Sequence, residues 1–123
     1  MVGELLLKSG GMRVLPSKEN IAIEESFHGS GKIIGIEVTD TRSVIIECLQ
    51  GEGQGIMMTK DGEMATYARH GVGWPNERGG HTVRAAMLFK TTSQRLERLN
   101  KIIVVSELKE NEDATRERLW EWK

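Results

Sequence analysis

With one cysteine, two prolines, one tyrosine and two phenylalanines among 123 residues, the chain lacks what several common architectures require. A single thiol, Cys48, excludes an intramolecular disulfide and any site built from several cysteines. It fits a reducing compartment, so a cytoplasmic location is expected. No long hydrophobic run is present either. The opening MVGELLLKSGG reaches a lysine after three leucines, far short of a secretion signal core or a membrane span, and no membrane partner is expected. Charge of one sign is missing as well: 17 basic residues stand against 18 acidic ones, a net charge of -1, so no field draws nucleic acid to the surface.

Glycine is what the chain has in excess, 14 residues where average usage is about 7 per cent. Set between short β-branched runs, it points to many strands joined by tight turns and bulges. The length suits one domain, residues 1–123. The runs Glu4 to Ser9, Ile21 to His28, Lys32 to Thr39 and Ser43 to Gln50 read as strands. Gly10 with Gly11, then Gly29 to Gly31, then the Thr39, Asp40, Thr41 cluster read as turns between them. Two arms flank Lys60, Asp61 and Gly62, a hairpin signal, and a loop from Trp74 to Gly80 ends the second arm. His81 to Thr91 reads as strand. Ser93 to Asn100 reads as a short helix, capped by Thr92 or Ser93 and carrying Leu96 and Leu99. Lys101 to Leu108 and Arg116 to Trp122 complete the set around the charged turn KENEDAT. About eight or nine strands at this spacing predict an all-β fold, a single antiparallel β-barrel of about eight strands with one short helix.

The hairpin register decides which side chains share a face. A three-residue loop with Gly62 in the left-handed position pairs Thr59 with Glu63 and gathers Ile56, Met58, Met64, Thr66, Ala68 and Val72 on one mostly apolar face. The other face sets Tyr67 over Gly55 and Arg69 over Gly53, large side chains covering bare backbone. The apolar face is expected to point inward. Glu52, Gln54 and His70 then gather at the inner end farthest from the turn, and His81 joins them by parity with Val83, Ala85, Met87 and Phe89. An apolar cavity with a few convergent polar groups is the usual form of a small-molecule site. Glu52 and His70 are the expected acid–base pair, and Gln54, Ile56, Met58, Trp74 and His81 the expected ligand contacts. An apolar small molecule is the expected partner, with no cofactor, and whether the site catalyses anything is open.

Plainer readings stand beside these. Glu52 can sit solvated at a rim while His70 bonds backbone. His28, His70 and His81, with Glu52 or Glu25, can be imagined around a metal, which makes a metal-dependent enzyme a further alternative; no HxH or HxxxH spacing supports it, so no metal site is assigned. The GSGK run at 29–32 lacks the phosphate-loop pattern. Cys48 reads as a small buried hydrophobe. Trp120 and Trp122, two apart on a final strand, suit a subunit interface, which would make the chain a non-catalytic oligomeric module with a solid barrel.

The stretch GEGQGIMMTKDGEMATYARHGVG, residues 51–73, resembles a run in small bacterial and archaeal proteins of unknown function that look like allene oxide cyclase and dirigent barrels. Phe89 to Thr91, RLERLNKIIVVSE and the final WEWK are similar to the same family, so the resemblance spans roughly residues 29–123. It implies an eight-stranded antiparallel barrel, of a kind often assembled as dimers or trimers, whose interior can hold an apolar ligand. Cyclase or isomerase activity by steering a reactive substrate is implied only as an analogy of fold, and no catalytic residue carries over.

Overall fold

The computed structural model describes residues 1–16, 21–77, 79–110 and 114–123. Eight strands run in chain order: β1 (Gly3–Leu15), β2 (Ala22–Ile33), β3 (Ile36–Glu47), β4 (Gln50–Thr59), β5 (Met64–Pro75), β6 (His81–Thr91), β7 (Ile103–Glu110) and β8 (Thr115–Glu121). Each pairs antiparallel with the next, and β8 returns to β1, so the sheet closes into the expected barrel and leaves no central edge unpaired. Among the described residues no helix is long and apolar enough to cross a membrane.

Alternation sets the inside. Leu5, Leu7, Phe27, Ile33, Val38, Met57, Tyr67, Met87, Phe89, Val104, Leu108 and Leu119 are buried on inward-facing positions, with neighbours along each strand exposed. The expected helix forms as one 3-10 turn, Glu97–Lys101, without a side-chain cap. Leu96 and Leu99 are fully buried and close one end of the barrel. The opposite end, where Cys48 and Leu49 turn between β3 and β4, is the mouth of the barrel.

Several expected turns are strand interior instead. Gly10 and Gly11 form a bulge within β1, where the register with β2 shifts between Ser9 and Gly11. Gly29 and Gly31 lie mid-strand because β1 passes so close that a Cβ at Gly29 would come within 1.9 Å of the Leu6 carbonyl oxygen. The turn itself falls at Ile34 and Gly35, both with positive φ. The Thr39, Asp40, Thr41 cluster is also continuous strand, and Asp40 points inward. The final strand begins at Thr115, and the middle of the KENEDAT segment lies outside the described residues.

The hairpin register is the one expected. The Thr59 amide donates to the Glu63 carbonyl at 2.9 Å, Gly62 sits at φ 86°, and Tyr67 pairs with Gly55 and Arg69 with Gly53.

Candidate functional site

The face of that hairpin expected to line a cavity lies on the outside. Ile56 and Met58 are 42% and 41% exposed, Met64 and Val72 about equally so, and Gln54 is exposed beside them. The inward residues are Met57, Thr59, Ala65, Tyr67 and Arg69. The correction has a physical cause. The more polar face is stable inside because strands remote in sequence supply counter-charges there, while the more apolar face is left to solvent or to a partner.

Glu52 and His70 do come together, as cross-strand partners with His70 Nδ1 3.9 Å from Glu52 Oε2, but both are well exposed on the outer surface. They flank a groove of about 640 Å³ with Ile45, Cys48, Leu49 and Gln50. Cys48 is exposed in a turn at φ 57°, not buried as expected. Trp74 is outward too, with the Arg84 guanidinium 5.4 Å from its ring centre. His81 stands at the mouth, 3.7 Å from a Glu110 carboxylate oxygen, and is exposed. Among the described residues no three His, Cys, Asp or Glu side chains gather closely enough to hold a metal ion.

The chemistry that the sequence did not expose is inside. Arg42 Nη1 and Nη2 donate to the two oxygens of Glu117 at 3.1 and 2.7 Å, and its Nε donates to Asp40 Oδ2 at 2.7 Å. Arg69 Nη1 donates to Glu117 Oε2 at 2.7 Å, and the Tyr67 hydroxyl to Asp40 Oδ1 at 2.7 Å. The Arg42 guanidinium lies 5.6 Å from the centre of the Tyr67 ring, which packs against Phe89. Two cations and two anions cancel. Burial alone would raise the Glu117 pKa, but Arg69 and Arg42 outweigh it and hold the group at about 2. Burial pushes the Tyr67 phenol up, so it stays a neutral donor to Asp40. Tyr67 and Arg69 were paired with glycines in the sequence analysis, yet their partners Asp40, Arg42 and Glu117 sit on β3 and β8, and no local spacing connects them.

Toward the mouth the inner wall opens. Ile23, Glu25, Val44, Ile46, Gly53, Gly71, Gly73 and Val83 are half-buried, whereas the inner residues beside the 3-10 turn are closed off. Two inward residues adjoin this half-open stretch, Arg69 opposite Gly53 and Ser106 across Ala85 from Gly71. Ser106, 4% exposed on the inner face of β7, has a hydroxyl without a hydrogen-bond partner among the described residues. Arg69 uses one nitrogen on Glu117, and its other nitrogens have no protein partner among the described residues. At the rim the Ser9 hydroxyl donates to Glu25 Oε2 at 2.8 Å. Burial pushes the Glu25 carboxyl up, the Ser9 bond partly offsets this, and nearby Glu110 pushes it up further.

No protein-family model matches the chain, and no curated protein matches it in sequence. Among solved structures, the crystal structure of a conserved protein of unknown function from Rhodopseudomonas palustris is similar, with a TM-score of 0.78 over 98% of this chain and 93% of that one, at 14% identity. A likeness at that identity shows the fold, the closed eight-stranded antiparallel barrel, and leaves the ligand and the chemistry to be argued from this chain's own residues.

Proposed function

We propose that the chain is a small-ligand-binding barrel whose ligand enters at the mouth and rests on the inner recess, not on the outer hairpin face. The observation that carries this is the half-open inner wall, apolar at Val44, Ile46 and Val83, ending on donors of Arg69 and Ser106 that no protein group uses among the described residues. Apolar walls with a few convergent polar groups suit a small molecule. Binding is the whole proposal. Among the described residues the carboxylates at the floor are bonded to Arg42, Arg69 and Tyr67, and the proposal assigns them no cyclase or isomerase chemistry.

Xenon enters apolar cavities of roughly a few atoms' size and reports them by amide shifts. Under xenon pressure the amides of Val44, Gly53, Gly71 and Val83 are expected to shift while those of Ile56 and Met58 stay put. Inner amides that do not respond would remove the recess and the reading with it.

A second reading rests on a different observation. Gln54, Ala68, Leu88, Ile103 and Trp122 lie in one cross-strand row on the outside of β4 to β8, next to a row of Glu52, His70, Ala86, Val105 and Trp120. Leu88 is 59% and Trp122 67% exposed, and only Glu52 and His70 among these ten side chains are ionisable. A contiguous apolar surface of this kind suits a homo-oligomeric interface. Light scattering should then give a multiple of the 13.8 kDa chain mass, and Leu88→Lys should return it to the monomer. A wild-type monomer at high concentration would end this reading.

A further inference from the structure

Resting on the recess as the binding site, we infer that its ligand is an uncharged, largely apolar molecule that carries an acceptor oxygen, of the ketone, lactone or ether type, and not a carboxylate or an amine. The floor offers Arg69 donors and the Ser106 hydroxyl, beside carboxylates already bonded to Arg42, Arg69 and Tyr67. Among the described residues, Arg69 has guanidinium nitrogens without a protein partner and Ser106 a hydroxyl without one, each residue 4% exposed and on an inward position. Gly53 pairs with Arg69, and Gly71 leads through Ala85 to Ser106 across the sheet, so the inner wall beside the two donors carries no large side chain.

Charge then decides among ligands that accept hydrogen bonds. Arg42, Arg69, Asp40 and Glu117 already sum to zero within hydrogen-bond distance of one another. A carboxylate at the floor would add a net negative charge in a buried place, which costs several kcal/mol unless a new cation compensates it, and Arg69 is already committed to Glu117. Glu25 and Glu110 at the rim oppose an anion on its way in. An ammonium would add an uncompensated positive charge beside Arg42 and Arg69, whose carboxylate partners are already engaged. A neutral oxygen accepts from Arg69 or Ser106 without changing the charge balance, and it pairs the buried Ser106 hydroxyl, which is costly to leave unmade.

Cyclohexanone, cyclohexanecarboxylate, cyclohexylamine and methylcyclohexane, titrated separately into the full chain, test this by amide and arginine side-chain NMR shifts. Cyclohexanone is expected to bind tightest and to shift the Arg69 Nε proton and the Ser106, Gly53 and Gly71 amides. Ser106→Ala should weaken cyclohexanone roughly fivefold and leave methylcyclohexane unchanged, the size of one lost hydrogen bond. Tighter binding of the carboxylate or the amine, or equal binding of ketone and hydrocarbon, would overturn the ligand class and leave the recess standing. If none of the four moves an inner residue, the recess reading itself falls. Ser106→Ala removes one small group and keeps the ion pairs, so loss of fold does not confuse the result.

Discussion

Arg42 and Glu117, 75 positions apart in the chain, meet at the centre of the barrel through two hydrogen bonds, and neither side chain is more than 1% exposed. Planar guanidinium and carboxylate match in this arrangement, which fixes how β3 and β8 stand relative to each other as well as neutralising both groups. Removing Arg42 leaves Glu117 with Arg69 alone and Asp40 with only the Tyr67 hydroxyl, so the buried cluster carries an uncompensated negative charge. Arg42→Met is expected to cost about 3–5 kcal/mol in urea unfolding, several times the cost of removing the exposed pair partner Arg13.

The same carboxylate sets an acid limit. Its pKa is about 2 in the folded chain against an ordinary value of 4.5, so between these values the unfolded state binds more protons. The stability that Glu117 contributes is therefore complete above about pH 4.5 and is lost as pH falls toward about 2. Urea midpoints measured across that window should fall more steeply for the wild type than for Glu117→Gln, which starts lower. Parallel curves would show that Glu117 is not the group responsible.

At Gly29 the limit is steric. A Cβ there would press on the Leu6 carbonyl at 1.9 Å and the Leu7 Cα at 2.8 Å, both backbone, so β1 would have to move. Gly29→Ala is expected to lose about 1–3 kcal/mol, while Ser30→Ala, exposed one residue on, should change stability by less than about 0.5 kcal/mol. Thermal melts of the two variants make the comparison.

Cys48 holds a left-handed backbone at φ 57° in an exposed turn, a conformation that costs most side chains about 1–2 kcal/mol and asparagine less. Cys48→Asn should raise the stability by about 0.5–1 kcal/mol. A lower melting temperature for this variant would mean that the thiol makes a contact worth more than the strain.

Leu96 closes the end opposite the mouth and is fully buried, so Leu96→Ala should cost about 2–5 kcal/mol. Amide exchange measured alongside should quicken most at the barrel end it covers, next to Leu99 and Ile102.

The fold was legible because its signals are local. β6 has the bounds its β-branched and aromatic residues suggest, and the Thr59 to Glu63 turn has the register that Gly62 permits. Two strand-interior positions look like turns for one reason: glycine next to serine or aspartate next to threonine reads as a turn unless a neighbouring strand requires the missing side chain or the buried charge. Gly29 needs β1 close by, and Asp40 needs Arg42 and Tyr67. Neither requirement shows in the residues on either side.

Alternation, glycine content, balanced charge and the absence of a cysteine framework were enough by themselves to determine an all-β chain that closes on itself, and to pair Tyr67 with Gly55 and Arg69 with Gly53. Which face of that hairpin turns inward was decided only in three dimensions. A hairpin read alone puts its apolar side inside, because burying a lone arginine is costly. Once the barrel closes, β3 and β8 deliver Asp40, Arg42 and Glu117 to the same interior, Arg69 gains its counter-charge, and Tyr67 its acceptor. The outer row from Gln54 to Trp122 and the open donors at Ser106 and Arg69 follow from that inversion.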